Sequence, residues 1–401
     1  MYAFGNIEPH GKGSQVRQIH SMRIHHLLGL MVLFLWTVLG PPPFTQAREP
    51  VMMAVILART GIAAEDNRPA IRAAQVALDE VNEAGGLLGR PVKMTLIDNG
   101  STPIGSKHAA QRAKELEATA VIGPFWSSHA LQTAAVLQAA RIPMITPTAT
   151  KPEITRNRDY VFRVCSSDAF QGRVMAHFAF QDLEARTALV LKNISETYPI
   201  TLAGYFKTGF ESAGGKVLWE GEYTGKAVNF QCLLERAKSF QADVWFIPGY
   251  ARDSGLLIKQ AVSLGVKTTF LGGDGWGENM REYAGEVLEG AYYSTHYHPD
   301  LPFPKNRHLH NVYREQFGRE RIVDVRIPLT YDALHLIAHA VKRAGSAQGD
   351  CVRKALAATK GFSGATGTIS FDADGDPENK EMSILRFEKD HSVFIKSVSP
   401  Q

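Results

Sequence analysis

The residues best suited to chemistry lie in one stretch, Gly123–Thr150, with the sequence GPFWSSHALQTAAVLQAARIPMITPTAT. Ser127 and Ser128 stand where a strand, Thr119–Gly123, gives way to an Ala-rich run free of Pro and Gly, Ser128–Ala140. A second strand, Ile142–Thr146, ends in the turn PTAT, which carries Thr148 and Thr150. This order sets two hydroxyl-bearing turns side by side at the carboxyl ends of parallel strands, where open α/β sheets bind ligands. Serine at a helix start leaves backbone N–H groups free for an anion. The pattern reads as half of a carboxylate-binding site. A blander reading makes Ser127 a simple N-cap and Thr150 a turn residue.

Alternating strands and helices must hold these turns. Strand-like runs at Val51–Leu57, Val92–Ile97, Ala120–Ile122 and Ile142–Thr146 alternate with helical stretches near Ala70–Ala84, Ile104–Ala118 and Ser128–Ala140. In the first helix Ile71, Ala74, Leu78 and Val81 recur at three- and four-residue steps before Gly85-Gly86 stops it. Such alternation predicts a parallel sheet. A second series starts near Tyr160, with strands at Tyr160–Val164, Thr187–Leu191, Lys216–Trp219, Val244–Ile247 and Thr269–Leu271. A later helical part follows Leu301–Lys305, and Gly367–Val398 reads as strands around a DADGD turn. Two α/β lobes with several crossings between them fit best.

The chain has 401 residues and a hydrophobic content of 44%, enough for a large core. Leu27–Leu39 is an apolar run of 13 residues behind Arg17, Arg23, His25 and His26, and Thr45-Gln46-Ala47 follows it. A basic segment, a short apolar core and small residues predict a secretory signal peptide cut near Ala47. The run is short for a membrane span. Met22-Arg23 would make a more ordinary start than Met1. The expected location is therefore periplasmic. Without residues 1–47 the chain keeps 41 Lys and Arg against 39 Asp and Glu, about +2. That balance argues against nucleic acid as a partner, which needs a basic face. Cys165, Cys232 and Cys351 allow at most one intrachain disulfide, so the fold must rest on its core.

The chain resembles the periplasmic leucine/isoleucine/valine-binding proteins, solute receptors of branched-chain amino-acid ABC importers. The likeness runs through residues 50–395. It includes DEVNEAGGLLGR (Asp79–Arg90), the GPxxSS…IPxIxPxAT block, FR…D…QG (Phe162–Gly172) and ADVWFIPGY (Ala242–Tyr250). LGVKTTFLGGDG (Leu264–Gly275), LEGAYYST (Leu288–Thr295), TYDALHLIAHAVKRAG (Thr330–Gly345) and the GTISFDADGD region (Gly361–Asp376) complete it. The resemblance implies a periplasmic binding protein type I fold, α/β, with two Rossmann-like lobes joined by a three-stranded hinge. The first lobe would be about 48–167 plus 298–378, the second about 168–297 plus 379–401.

By the same resemblance, Ser127 and Thr150 hold a ligand carboxylate and Thr148 contributes mainly through its backbone. An amino acid also carries an ammonium, and burying an unpaired charge costs several kcal/mol or more. Asp274 in GGDGW stands where the family carries an acidic residue for that purpose, usually Glu. Tyr198 aligns with a tyrosine that closes over the ligand. Tyr250 at another strand end is a weaker candidate, and Trp126 and Trp276 border the two half-sites as wall or packing. Arg59–Asn67 departs from the family's first loop and leaves side-chain specificity open.

Other signals carry less. DADGD (Asp372–Asp376) starts like a calcium loop, but Pro377 sits where its glycine belongs and Ser383 where its glutamate does. The pairs His296/His298 and His308/His310 lack a third ligand and read as surface histidines. Asn193–Ser195 is a glycosylation sequon by pattern only. No nucleophile elbow, phosphate loop or zinc-protease motif is present, and no cofactor is expected. The sequence points to a non-enzymatic receptor for an amino acid, partnered by an inner-membrane ABC permease and its ATPase subunits. The alternatives are a receptor of the same fold for an amide, urea or an aromatic or carboxylic acid, or a ligand sensor for a signalling partner.

Overall fold

The computed structural model describes residues 49–225, 227–318 and 321–400. The signal-peptide expectation, the start at Met22 and the cut near Ala47 lie outside the described residues. The first sheet runs in the order β2-β1-β3-β4-β5 and is parallel throughout. Its strands are β1 (Val51–Leu57), β2 (Val92–Asp98), β3 (Ala120–Ile122), β4 (Met144–Thr146) and β5 (Val161–Arg163). The central strand β1, VMMAVIL, is apolar along its whole length because helices cover both faces of the sheet. On one face lie α1 (Ala64–Glu83), a long later helix over Arg326–Ala344 and a short one over Gly349–Ala357. On the other lie α2 (Pro103–Glu115) and α3 (Ser127–Ala140).

Local chemistry sets these helices. Alanines at 70, 73, 74 and 77 give α1 a smooth buried stripe that lets it sit close to the sheet. Thr102 caps α2, accepting from the Gly105 N–H at 3.0 Å, with Pro103 in the first position. α1 begins at Ala64, earlier than the Ala70 read from sequence, so Glu65, Asp66 and Asn67 form its first turn rather than a loop. Pro69 masks this start, since proline reads as a helix boundary but is tolerated near the beginning of a helix. Asn67 is buried and ties the turn to β1 by accepting from Ala58 N at 3.1 Å.

The second sheet runs β14-β13-β10-β9-β8-β6-β7. Its strands are β6 (Thr187–Asn193), β7 (Lys216–Tyr223), β8 (Val244–Phe246), β9 (Thr269–Gly272), β10 (Tyr292–Thr295), β13 (Met382–Phe387) and β14 (Ser392–Val398). The five strands from β7 to β10 are parallel and repeat the order of the first sheet, while β13 and β14 add as an antiparallel edge. A small hairpin, β11 (Phe362–Gly364) and β12 (Gly367–Ile369), packs with the first sheet's core. Helices α4 (Asp168–His177) and α5 (Thr197–Ser212) cover one face of the second sheet. α6 (Gln231–Lys238) and α7 (Ala251–Ser263) cover the other.

The chain passes between the two layered halves three times: after β5, after β10 and between β12 and β13. The first and third passages are tied to each other. Lys380, fully buried, donates to Val164 O at 2.6 Å and to Thr366 Oγ1 at 2.7 Å, and burial pulls its pKa down to about 8. Among the described residues no helix is long and apolar enough to cross a membrane. The three cysteines are free thiols, so the core alone holds the fold.

Candidate functional site

A cavity of about 570 Å³ opens between the two halves at the carboxyl ends of both parallel sheets. It is lined by Trp126, Ser127 and Thr148 from one half and by Tyr198, Tyr250, Asp274 and Trp276 from the other. Thus seven of the eight residues singled out from sequence line one cavity. Thr150 lies just behind it, buried, with its carbonyl accepting from Asp168 N at 2.8 Å.

The first half-site is two turns locked to each other. Gly123, at φ +91°, ends β3 in a conformation that a Cβ would bring against the carbonyl of Ile56, so only glycine makes this turn easily. Ser127 follows as the first residue of α3, and the cap position belongs to Trp126. The serine is therefore not an N-cap. Its hydroxyl accepts from Lys151 N at 3.3 Å and joins the helix start to the PTAT turn. Thr148 Oγ1 donates to Phe125 O at 3.3 Å, a second tie between the turns. The Thr150 hydroxyl is buried beside the Asp168 carboxyl.

Arg163 holds this turn from beneath. Its fully buried guanidinium donates to Asp376 at 2.6 Å, to Thr155 Oγ1 at 2.6 Å and to the carbonyls of Ala149 and Pro152, both at 3.2 Å. The DADGD segment thereby finds its place. Asp372 Oδ1 accepts from the backbone of Asp374 and Asp376, both at 2.9 Å, and turns Asp376 toward Arg163. Breaking a buried pair by removing one partner costs about 3–5 kcal/mol. Arg163→Ala is expected to lose about that much, read as a lower urea midpoint, and an unchanged midpoint would show that the anchor is dispensable.

The second half-site centres on Asp274, after β9. Gly275 comes against the carbonyl of Gly249 so closely that a side chain has no room there. Asp274 Oδ1 accepts from Gln171 Nε2 at 3.0 Å, and its Oδ2 lies 3.2 Å from His296 Nε2. Tyr198, at the start of α5, is buried, and its hydroxyl accepts from Gly275 N at 3.0 Å. Burial first, then the nearby Asp274 and Asp168, push its pKa well above the usual value and keep it a neutral phenol. Trp276 is buried against Gly272 and Phe387, with an unpartnered indole N–H.

The halves meet across the cavity. The rings of Trp126 and Tyr250 stack at 4.4 Å. Ser128 Oγ donates to Glu196 at 2.8 Å, Lys151 Nζ to Thr201 at 3.0 Å, and Asn279 to Asp66 at 3.0 Å.

Two groups escaped the sequence reading. His296 and His298 are buried, contrary to the expectation of surface histidines, because they lie where the chain passes between the halves. Asp168 is the first residue of α4 and fully buried, with the Thr150 hydroxyl beside its carboxyl. Burial raises its pKa to about 8, with Asp274 adding to the shift and Thr150, Arg163 and Lys151 opposing it. The folded carboxyl therefore keeps a proton that the unfolded chain releases near 3.8, and stability falls as pH rises through that window. Asp168→Asn is expected to stabilise the ligand-free protein, by a margin that widens from about pH 4 to about pH 8. Urea denaturation at both ends of the window measures it, and an equal margin at both would sink the assignment. Asp168's only sequence signal was its place in the FR…D…QG block.

Residues 50–392 match the model of the family described as periplasmic binding protein. The leucine-, isoleucine-, valine-, threonine- and alanine-binding protein of Pseudomonas aeruginosa is 28% identical over 356 residues, which cover 88% of this chain and 93% of that one. The crystal structure of a leucine-binding protein from Thermotoga maritima superposes with a TM-score of 0.83 at 32% identity, covering 87% of this chain and 99% of that chain. A branched-chain amino acid transporter substrate-binding protein from Streptococcus pneumoniae, solved in complex with isoleucine, gives 0.81 at 25% identity, covering 88% and 100%.

Proposed function

The chain belongs to the periplasmic binding protein family, and from that premise we propose that this substrate-binding protein of an ABC importer takes an α-amino acid between two closing lobes. The lobes are 48–167 with 298–378 and 168–297 with 379–401. One observation carries the amino-acid reading. A single cavity sets a hydroxyl-rich, helix-N-terminal turn opposite the Asp274 carboxylate, so each end of a zwitterion meets its complement. Ser127, Thr150 and the first turn of α3 would receive the carboxylate, with Thr148 shaping the turn. Asp274 would neutralise the ammonium. Tyr198, Tyr250, Trp126 and Trp276 would enclose the rest.

Neither half-site satisfies both charges alone, so ligand binding and lobe closure are one event. The closed form would be read by a permease with its ATPases, and the similar proteins are receptors rather than enzymes. A simple carboxylic acid would leave Asp274 without a cation. Thermal-shift screening of the twenty amino acids and small carboxylates tests the reading, since ligand at 100 times Kd adds about 2.7 kcal/mol of stability. Stabilisation by one or more amino acids is expected. Stabilisation by carboxylates alone would replace this reading with that of an acid receptor.

A further inference from the structure

We propose that His296 is a positioning residue for amine recognition: it ties the Asp274 carboxylate to the strands that pass between the lobes, without touching the ligand. This rests on Asp274 as the ammonium partner. The His296 side chain is fully excluded from solvent, and Asp274 is nearly so at 6%. The imidazole has two contacts. Ser166 N donates to Nδ1 at 3.3 Å, and Nε2 lies 3.2 Å from Asp274 Oδ2.

A backbone N–H can only donate, so Nδ1 is an acceptor and the ring proton sits on Nε2. Nε2–H then donates to Asp274 Oδ2. Gln171 supplies the other donor, to Oδ1. Two donors fix the carboxylate's plane and leave its remaining lone pairs for an ammonium.

The mechanical context gives this bond its consequence. Ser166 lies on the first passage between the lobes, His296 on the second and Lys380 on the third. Ser166 Oγ reaches Lys380 O at 3.5 Å, while Lys380 Nζ donates to Val164 O at 2.6 Å. A contiguous set of hydrogen bonds therefore runs from Asp274 through His296 into all three passages. Ser166 belongs to the other lobe, so rotation about these passages acts on the imidazole through its Nδ1 bond. The ammonium subsite is then complete in one lobe orientation, and discrimination for amines is coupled to closure.

The test uses matched pairs that differ only in the amino group: L-leucine with 4-methylpentanoate, and L-phenylalanine with 3-phenylpropanoate, titrated by calorimetry. His296→Leu is expected to weaken the amino acid by roughly 10–100-fold, the scale of one charge-assisted hydrogen bond, and to leave the desamino acid within a few-fold. His296→Gln restores a donor to Asp274 and is expected to recover most of the loss. A merely structural histidine would weaken both members of each pair equally, and that result overturns the proposal. Asp274→Ala serves as the control. If it abolishes discrimination while His296→Leu does not, this inference alone fails; if it changes nothing, the amine reading fails with it. Nitrogen-15 NMR of the wild-type imidazole gives a check that needs no variant. The Nε2–H tautomer is expected, and the Nδ1–H tautomer would overturn the proposal.

Discussion

Asp274→Ala is expected to remove amino-acid binding while the protein still folds. The carboxylate lines the cavity, is almost fully buried, and is oriented by Gln171 and His296. Without it, an ammonium enclosed by the closing lobes has lost its counter-charge. Removing one partner of a buried ion pair costs about 3–5 kcal/mol, which is roughly 100- to 5,000-fold in Kd. The fold should tolerate the change, because the residue follows β9 at the cavity wall rather than in the core between sheet and helices. Asp274→Asn keeps the shape and removes the charge, so it should lose nearly as much. Calorimetry on both variants, with circular dichroism as a folding control, measures the effect. Unchanged affinity in either would remove Asp274 from the ammonium subsite.

The second large effect falls on the opposite wall. The double substitution Ser127→Ala with Thr150→Ala is expected to weaken carboxylate binding by about 2–4 kcal/mol, the scale of two hydrogen bonds to a charged group. Ser127 Oγ accepts from Lys151 N and keeps its own proton to donate toward the cavity. The buried Thr150 hydroxyl adjoins the buried Asp168 carboxyl, so an unfolding midpoint measured beside the affinity separates any folding cost from the loss of binding. A loss below about 0.5 kcal/mol would mean that the backbone N–H groups at the start of α3 hold the anion by themselves. The two walls should respond to different ligand ends: Asp274 variants hurt amines selectively, and the serine–threonine variant hurts every carboxylate.

Much of this architecture was legible in the chain. Apolar runs such as VMMAVIL, alternating with helical stretches, carry the parallel-sheet signal directly. The blocks around Ser127 and Asp274 carried the two half-sites. What stayed hidden depends on contacts between distant segments. β10, YYST, is only four residues long and follows Gly290-Ala291, so no periodicity marks it. His296 lies just beyond it, and a His-x-His pair without an apolar frame gives no sign of burial. Ser127 read as a possible cap because serine favours that place; Trp126 holds it in the fold, which frees the serine hydroxyl to join two turns. Pro69 concealed the first turn of α1, where Asp66 contacts Asn279 across the cavity. Arg163 and Asp376 are 213 residues apart, and nothing local in either segment announces their pairing.

The most direct measurement is a calorimetric titration of the wild-type protein with the amino acid that stabilises it most and with that amino acid's desamino analogue. The ammonium meets a buried acid only in the closed cleft, so the amino acid should bind at least about 100-fold more tightly. Equal affinities would contradict the zwitterion clamp and leave the cavity as a receptor for carboxylates alone.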